Sequence, residues 1–412
     1  MRVLMLSWEY PPHVIGGLGR HVTELARALP RTGAEVHVLT PRLRGGLAEE
    51  RPVPGVVVQR IEPPRLTDSG YVPFVEAANA VIEQAARAAH AGERPFDLIH
   101  AHDWLMAKAA TALKYAWRVP LIATIHATER GRGQGNLLNR GHSDQIDAIE
   151  WGLTYEAWRV IVCSRFMAGQ VQAFFETPAD KIDIVPNGVR LRRRPFASAA
   201  ERQAFRAQFV PPGAPLVFSV SRLVYEKGVQ VLIDAWPATR AAFPGARLLL
   251  AGVGEYMDPL KQRAWDLGLG HEIIFAGHIS EHEKDKLFAA ADLAVFPSLY
   301  EPFGIVALEA MAAGCPVIVA DTGGLAEVVR QGETGLRVPP NDPGALAAGM
   351  IATLREPARA QAYARAALSD VRANYTWPRI AAATAAVYAR ARAEWSATGW
   401  GKELAQHETD RS

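Results

Sequence analysis

The feature that most limits the fold of this chain is a repeating order of short apolar segments and longer amphipathic segments. The first half contains brief β-rich runs that end in polar residues or glycine: RVLMLS, EVHVLTP, FDLIHAHD, PLIATIH, RVIVCS and DIVPNG. An amphipathic segment with helical periodicity, GLGRHVTELARALPRTG, follows the first of these runs. Strands that alternate with helices predict βαβ units and a parallel sheet.

The same order begins again after a connecting segment, at about residues 190–213, in which Arg, Pro and Ala dominate. The later strand-like runs are PLVFSVSRL, ARLLLAGVG, IIFAGHI, DLAVFPS, CPVIVAD and TGLRVPP. We therefore predict an α/β chain with two Rossmann-like doubly wound parallel-sheet domains, at residues 1–195 and 196–375. Residues 376–412 are expected to form an Ala-rich helix and a loose polar tail.

The composition argues against several classes of protein. Lys and Arg (45) nearly balance Asp and Glu (43), whereas a general nucleic-acid binder normally shows a basic stripe. The densest basic run, Arg190–Phe196, is interpreted as a solvated connector, with contact to an anionic partner as the alternative.

Cys163 and Cys315 are expected to be buried, unreactive thiols. Without a signal-peptide pattern or a long apolar run, we expect a cytoplasmic protein that is not inserted in a membrane. The sequence gives no indication of oligomeric state.

A glycine-rich loop follows the first strand-like run, in EYPPHVIGGLGRHV. Gly16, Gly17 and Gly19 open the next helix, where backbone N–H groups can approach a phosphate and the helix N-terminus favours an anion. Their spacing is not that of the dinucleotide fingerprint G-x-G-x-x-G. An ordinary tight turn is the alternative interpretation.

Polar side chains end the run LIHAHDW. Strand alternation puts His100 and His102 on the same side, but nothing nearby supplies a convincing third ligand, so a metal site is not expected. Asp103 and Trp104 lie at the strand tip, where an acid and an aromatic ring suit a sugar. Capping of the next helix by Asp103 is the competing interpretation.

His126 ends the run PLIATIH, on the sheet edge that is also expected to carry Asp103. An imidazole there can donate or accept a hydrogen bond near a reacting centre, although a lone histidine is more often structural. The glycine-rich, charged segment that follows, ATERGRGQGNLLNRGHSDQIDAIEW, is expected to shape an acceptor site.

Two cations follow the first strand-like run of the second half, in SVSRLVYEKG. Arg222 and Lys227 stand in a loop beside a glycine, where they would suit a diphosphate and stabilise negative charge on a leaving group. A solvated loop is the alternative, because Arg and Lys are common on surfaces.

Two glutamates, Glu301 and Glu309, flank a Phe-Gly turn in LYEPFGIVALEAMAAGCPVI. The segment IVALEAMAAG is predicted to be a helix that ends at Gly314. Glycosidase carboxylates lie roughly 5–9.5 Å apart on opposite sides of a bond, whereas eight residues of helix span about 12 Å. Two contacts along one elongated ligand are therefore favoured, and ordinary helix-end chemistry is the alternative. Because Glu309 lies among small apolar residues, it is expected to need polar partners.

Together these motifs resemble the retaining glycosyltransferases of the GT-B fold, in particular glycosyltransferase family 4. The resemblance covers nearly the whole chain and is strongest in the E-x7-E element of Glu301 and Glu309, with SRLVYEKG, DTGGLAEVV and GETGLRVPP in support. It implies two Rossmann-like domains that face each other across a cleft, with a C-terminal helix that crosses back to the first. It also implies a nucleotide diphosphate sugar as donor, and no required cofactor or metal ion.

The resemblance implies a role for each matching residue. Arg222 and Lys227 would bind the donor diphosphate, Glu301 the donor sugar and Glu309 the ribose. His126 would lie beside the donor sugar, and Asp103 and Trp104 on the acceptor side. The other implied donor contacts are Gly16, Gly17, Gly252, Phe303, Gly304 and Ile305. His126, Arg222, Lys227 and Glu301 form the implied catalytic set.

The segments SWEYPPHVIGGLG and HAHDW are similar to those of bacterial glycogen and starch synthase-like members, which extend α-1,4-glucan from ADP- or UDP-glucose. Where bacterial glycogen synthases typically carry Lys-x-Gly-Gly-Leu, this chain has Val14 in the lysine position, so both donors stay open. Transfer of another sugar, such as mannose, or transfer to a sucrose-type or cell-surface glycan acceptor is the alternative. A nucleotide-sugar 2-epimerase and a non-catalytic sugar-nucleotide binder are the other candidate classes.

Overall fold

The structure is a computed structural model that describes residues 1–66, 70–92, 94–137, 141–191 and 195–400. Three segments singled out in the sequence extend beyond these ranges. They are the centre of the arginine run (192–194), part of the segment after His126 (138–140) and the polar tail from residue 401. The predictions for those parts lie outside the described residues.

The described residues form two parallel-stranded α/β units. The strands of the first are β1 Arg2–Leu6, β2 Glu35–Pro41, β3 Glu49–Glu50, β4 Val56–Ile61, β5 Leu98–His102, β6 Leu121–Ile125, β7 Arg159–Val162 and β8 Ile182–Ile184. Those of the second are β9 Leu216–Val220, β10 Arg247–Ala251, β11 Ile273–Gly277, β12 Leu293–Phe296, β13 Val317–Ala320 and β14 Leu336–Val338.

Helices connect the strands. The sequence first supplies α1 Gly17–Ala28, α2 Tyr71–His90, α3 Ala107–Trp117, α4 Glu129–Arg132, α5 Ser143–Glu156, α6 Arg165–Phe175, α7 Ala199–Arg206 and α8 Val229–Ala242. It continues with α9 Met257–Asp266, α10 Glu281–Ala290, α11 Ile305–Ala312, α12 Leu325–Val328, α13 Pro343–Arg355, α14 Pro357–Asn374 and α15 Trp377–Ser396.

Both sheets are doubly wound. The first has the order β3-β4-β2-β1-β5-β6-β7-β8 and the second β11-β10-β9-β12-β13-β14. All pairings are parallel except that of β3 with β4. The strand order therefore reverses beside β1 in the first sheet and beside β9 in the second. In open α/β sheets such a reversal opens a crevice at the carboxyl ends of the strands, where ligands bind.

The chain divides into a first unit of Met1–Gly188 with Trp377–Ser412 and a second unit of Val189–Thr376. Helix α15 thus returns to the first unit, as the GT-B resemblance implies. Its side chains Trp377, Ile380 and Tyr388 are buried in the core beneath β1 and α1. Trp158 donates its indole N–H to Glu394, and Trp395 donates to the Arg118 carbonyl. Polar contacts therefore fix the position of α15 in addition to apolar burial.

Two local features differ from the sequence expectation. Strand β4 was not predicted, although its burial alternates with the period-2 pattern of a half-buried strand. The first helix was predicted to reach Gly33, but α1 ends at Ala28 and a 3-10 turn covers Leu29–Thr32. Pro30, which has no N–H to donate, stands in that turn and accounts for the change.

Both cysteines are buried, as predicted. Burial also raises the pKa of the Cys315 thiol, so this side chain is a poor nucleophile.

Candidate functional site

The predicted cations and carboxylates of the second unit lie at the reversal point of its sheet. Arg222 and Lys227 follow β9, and Glu301 follows β12, which is hydrogen-bonded to β9. Glu309 lies in α11, the helix that continues from the same loop. The sequence alone could not show this adjacency, because it depends on the order of the strands in the sheet.

Two glycines let the loops of this site approach one another closely. Gly228 ends the 3-10 turn Tyr225–Lys227 with φ +67°, and a Cβ there would lie 1.9 Å from the Pro297 carbonyl oxygen. Gly252, predicted to bind the donor, follows β10 with φ +122°, and a Cβ there would lie 1.8 Å from the Ser221 carbonyl oxygen. Any side chain at either position would push these loops apart. The observed contacts thus give both glycines a part in shaping the site.

Lys227 and Glu301 form an ion pair. The Lys227 ammonium lies 2.8 Å from Glu301 Oε2, and the two side chains are 15% and 14% exposed. The loops that carry them are joined as well, because the Leu299 N–H donates to the Glu226 carbonyl at 2.8 Å. A cation predicted to bind the donor diphosphate and a carboxylate predicted to bind the donor sugar are thus in direct contact.

Arg222 is placed differently from Lys227. Its side chain is 48% exposed, and its guanidinium lies 3.8 Å from a Glu226 carboxylate oxygen. An exposed pair at that distance contributes little. The guanidinium is therefore available to an anionic ligand at low cost.

Glu309 is held by a lysine that the sequence analysis missed. Lys284, in the first turn of α10, places its ammonium 2.8 Å from Glu309 Oε2, and the two side chains are 3% and 14% exposed. Lys284 also pairs with Glu281 at 3.0 Å. The expectation that Glu309 needs a polar partner is confirmed, with Lys284 as the partner.

A signal for Lys284 does exist in the sequence. Lys284 occupies the first position of an i, i+3, i+4, i+7 pattern that continues with Leu287, Phe288 and Ala291, all buried. A charged residue in the apolar register of a helix is expected to face inward. A buried lysine needs an acidic partner, but the pattern does not say which acid.

The Phe-Gly turn positions the start of α11. Gly304 is its N-cap residue, with φ +102°, and the helix runs Ile305–Ala312. Phe303 is buried and contacts Tyr375 with its ring, so its side chain is part of the core. Only the backbone here suits a ligand contact, because the first N–H groups of a helix have no partner within it.

In the first unit, a carboxylate occupies the glycine-rich loop. Glu9 Oε2 accepts hydrogen bonds from the N–H groups of Ile15 at 2.8 Å, Gly16 at 3.1 Å and Gly19 at 3.3 Å. A Cβ on Gly19 would lie 2.8 Å from that oxygen. The loop therefore cradles an anion, but the protein supplies it. Gly17, the first residue of α1, makes none of these three bonds, and Gly16 is engaged by Glu9.

Asp103 follows β5 and contacts the end of β6. It precedes a short 3-10 turn, Trp104–Met106, but its side chain makes no capping hydrogen bond, so the capping interpretation is wrong. Instead Asp103 Oδ1 accepts the N–H of His126 at 2.7 Å. Burial raises the pKa of Asp103 to about 7, and the hydrogen bond from the His126 N–H opposes that rise. The expectation that Asp103 and His126 share a sheet edge is confirmed.

His126 belongs to a cluster of imidazoles. His102 Nδ1 lies 3.1 Å from His126 Nε2, and the His21 ring, on α1, lies 4.8 Å from the His126 ring between centroids. Burial lowers the pKa of His21 to about 4 and the pKa values of His102 and His126 well below their usual range. The expectation that no third ligand lies near His102 is wrong, because α1 brings His21 there from a distant part of the sequence.

Trp104 does not present its ring to solvent. Its side chain is buried, with its ring edge-on to Tyr71. Tyr71 is 44% exposed and belongs to an aromatic group with Trp8 and Phe74. Tyr71, rather than Trp104, is the accessible aromatic surface here, and sequence reasoning missed it because it lies in a different helix.

Comparison with known proteins identifies the family. Residues 15–193 match the domain described as Glycosyltransferase Family 4, and residues 201–370 match Glycosyl transferases group 1. The chain is 38% identical over 405 residues to a protein named glycogen synthase from Mycobacterium tuberculosis, and the match covers 95% of each. The chain belongs to glycosyltransferase family 4. It is a GT-B glycosyltransferase that uses a nucleotide-sugar donor.

Solved structures of other glycosyltransferases have the same fold. Sucrose-phosphate synthase from Thermosynechococcus elongatus superimposes with a TM-score of 0.81 at 26% identity, over 95% of this chain and 99% of that one. The catalytic domain of starch synthase IV from Arabidopsis thaliana, bound to ADP and acarbose, gives a TM-score of 0.75 at 18% identity, over 95% and 99%. The second likeness supports the GT-B fold alone.

Among the helices that the structure describes, none is both long enough and apolar enough to span a membrane.

Proposed function

We propose that this family 4 glycosyltransferase is a retaining glucosyltransferase of the glycogen and starch synthase type. It would move glucose from ADP- or UDP-glucose to the end of an α-1,4-glucan. The observation that carries the proposal is the ion pair of Lys227 with Glu301 at the reversal point of the second sheet. The 38% identity to a glycogen synthase supports this assignment over most of the chain.

The roles of the charged groups follow from what they contact. The carboxylates of Glu301 and Glu309 each lie 2.8 Å from a lysine ammonium, which orients both as acceptors for hydroxyl groups. Glu301 would receive hydroxyls of the donor sugar and Glu309 those of the ribose. Lys227 and the exposed Arg222 would bind the diphosphate and stabilise its charge as it leaves.

Retention at the anomeric carbon is proposed to follow a front-face path. The bond from the sugar C1 to the diphosphate oxygen breaks, and the acceptor oxygen forms its bond to C1 on the same face. The acceptor proton passes to an oxygen of the leaving diphosphate. No side-chain nucleophile is needed, and Glu301 is assigned to sugar binding because its carboxylate is engaged by Lys227.

The ion pair also implies a change when donor binds. In this structure Lys227 satisfies Glu301, so a diphosphate would compete for the ammonium and sugar hydroxyls for the carboxylate. Both groups are mostly buried, and leaving either one unpaired would be costly. We therefore propose that a complete nucleotide sugar, which satisfies both at once, binds better than its nucleotide or sugar part alone.

The donor base and the acceptor are tested in two steps. A thermal-shift panel of ADP-, UDP- and GDP-sugars identifies the donor, because a ligand that binds the folded state raises the melting temperature. Glycogen and maltooligosaccharides are then offered with that donor, and products are separated by mass. The proposal expects stabilisation by ADP- or UDP-glucose and maltooligosaccharides longer by one or more hexose units. Stabilisation by a GDP-sugar alone, or no extended product, would contradict it.

The structural likeness to sucrose-phosphate synthase favours one alternative acceptor. In that case, a small phosphorylated sugar would accept glucose and the glucan would not grow.

Incubation with donor and no acceptor distinguishes both kinds of transferase from an epimerase. An epimeric nucleotide sugar formed under those conditions would contradict any transferase assignment.

A further inference from the structure

Three imidazoles from separate parts of the first unit meet at the carboxyl edge of its sheet. His21 lies on α1, His102 ends β5, and His126 follows β6. One ring nitrogen from each lies within 4.8 Å of the other two. His21 and His102 are buried, and His126 is partly exposed. A fourth ring, His100, is adjacent but is used differently, since its nitrogens face the Tyr388 hydroxyl and Thr124 at 2.7 Å each.

The cluster leaves ring nitrogens without hydrogen-bond partners. His21 binds the Asn187 side chain through Nδ1 at 2.6 Å, which leaves its Nε2 buried and unpartnered. His102 faces the cluster with Nδ1, so its buried and unpartnered Nε2 lies outside the proposed ligand set. Buried polar atoms in proteins are normally satisfied, and an unsatisfied imidazole nitrogen carries a lone pair or a proton that a ligand can use. The contact with Asn187 is of the kind that orients a metal-binding histidine.

The geometry is close to that of a three-histidine zinc site. Zinc binds imidazole nitrogen at about 2.0–2.1 Å, so three ligands of a tetrahedral ion lie about 3.3 Å from each other. The His102 Nδ1 to His126 Nε2 separation is already 3.1 Å. Bringing the third nitrogen from within 4.8 Å of the others to that spacing requires a side-chain adjustment of up to about 1.5 Å, which rotation of an imidazole ring can supply.

We propose that His21, His102 and His126 form an inhibitory binding site for a borderline-soft divalent cation of the zinc type. His126 is the partly exposed member, and the bound ion would take its ring nitrogen. The inhibitory part of this inference rests on the proposed function, in which His126 lies beside the donor sugar. An ion bound to the His126 ring nitrogen would prevent the contact of His126 with the donor sugar. It would also add positive charge beside the sugar, where the ring alone is neutral.

Direct binding tests the site without reference to activity. The full chain is stripped with EDTA, dialysed and titrated with Zn²⁺ in competition with a chromophoric chelator, and Co²⁺ absorbance reports the coordination geometry. His21→Gln and His102→Gln remove one ligand each. His271→Gln is the matched control, because His271 is exposed and lies in the second unit. Thermal melting confirms that each variant is folded.

The proposal expects one tightly bound Zn²⁺ per chain, a tetrahedral Co²⁺ spectrum, and an affinity at least about tenfold weaker in His21→Gln and in His102→Gln. His271→Gln should bind as the wild type does. Absence of saturable binding would overturn the site, as would equal affinity in folded His21→Gln, His102→Gln and wild type. If one ligand variant does not fold, the other decides.

Transferase activity tests the inhibitory part. One equivalent of Zn²⁺ should reduce glucose transfer severalfold, and EDTA should restore it, in both the wild type and His271→Gln. Full activity of the zinc-bound protein would overturn inhibition while leaving the site intact. If no nucleotide sugar supports transfer at all, the proposed function fails, but the binding titration still decides whether the metal site exists.

Discussion

At the scale of single residues, the pairs of Lys227 with Glu301 and of Lys284 with Glu309 differ in how far the lysine is exposed to solvent. Lys227 and Glu301 lie at the strand ends, whereas Lys284 is almost fully buried behind Glu309. The first pair would contact the ligand with both members. In the second pair, Glu309 would contact the ligand, and Lys284 would hold the Glu309 carboxylate in position. Substitutions should therefore affect the two pairs in different ways.

Replacing Lys227 with Met should lower kcat by about 10²–10³-fold, the cost typical of losing one group that stabilises developing charge. Replacing Glu301 with Gln should also lower activity, because the donor sugar loses a charged hydrogen-bond acceptor and Lys227 loses its partner. Steady-state kinetics with the identified donor measure this. Glu333→Gln is the control, because it breaks an ion pair with Arg330 in which both side chains are largely exposed. Near wild-type kcat in Lys227→Met would remove this lysine from the catalytic set.

Replacing Lys284 with Met should raise the KM for donor roughly tenfold to a hundredfold, because Glu309 loses the group that orients it. The change in kcat should be much smaller, since Lys284 does not contact the reacting atoms. Lys261→Met, at an exposed position of α9, is the matched control. Equal losses in kcat and kcat/KM would show that Lys284 acts in the transition state instead.

At the scale of secondary structure, the sequence predicted most strands and the helix after the Phe-Gly turn because these are local patterns. Lys284 and His21 escaped prediction because each acts through a residue far away in sequence. The capping interpretation of Asp103 failed for the same reason, since its true partner, the N–H of His126, lies on a neighbouring strand. Local patterns determine which strands end in polar residues, whereas the order of strands determines which of those residues meet.

Gly228, in the turn after β9, can be compared with Gly268, which follows α9 and has nearly the same backbone conformation. Gly228 (φ +67°) has the Pro297 carbonyl in the space of a Cβ, whereas Gly268 (φ +66°) has open space there. Gly268→Ala should cost about 1–2 kcal/mol for the left-handed conformation alone. Gly228→Ala should cost about 1–3 kcal/mol more because of overpacking, and should also lower activity. Denaturant unfolding measures both, and equal costs would contradict the close approach of these loops.

At the scale of the whole molecule, α15 packs into the core of the first unit beside β1. The Tyr388 hydroxyl lies 2.7 Å from His100 Nδ1, and both side chains are fully buried. Burial, and then the charge of His21, lower the pKa of His100 to about 3. This histidine therefore stays neutral in the folded protein across the mildly acidic range, while in the unfolded chain it titrates near its usual value of about 6.5.

This difference makes stability depend on pH in a defined direction. Between about pH 6.5 and 3 the unfolded chain binds a proton at His100 that the folded chain does not, so the free energy of unfolding falls as the pH falls. His100→Gln should make that decline shallower by up to about 1.4 kcal/mol per pH unit. Denaturant unfolding of both proteins from pH 4 to 6.5 measures the slopes. Parallel slopes would contradict a buried neutral His100.

We propose that this chain extends an α-1,4-glucan with glucose from a nucleotide sugar and retains the anomeric configuration. The most direct measurement is proton NMR of the product formed from maltooligosaccharide and ¹³C-labelled ADP- or UDP-glucose, recorded while the reaction proceeds. We expect labelled α-1,4-linked glucose at the non-reducing end with the wild type and none with Glu301→Gln. A β-configured linkage, or label released only as free glucose, would contradict it.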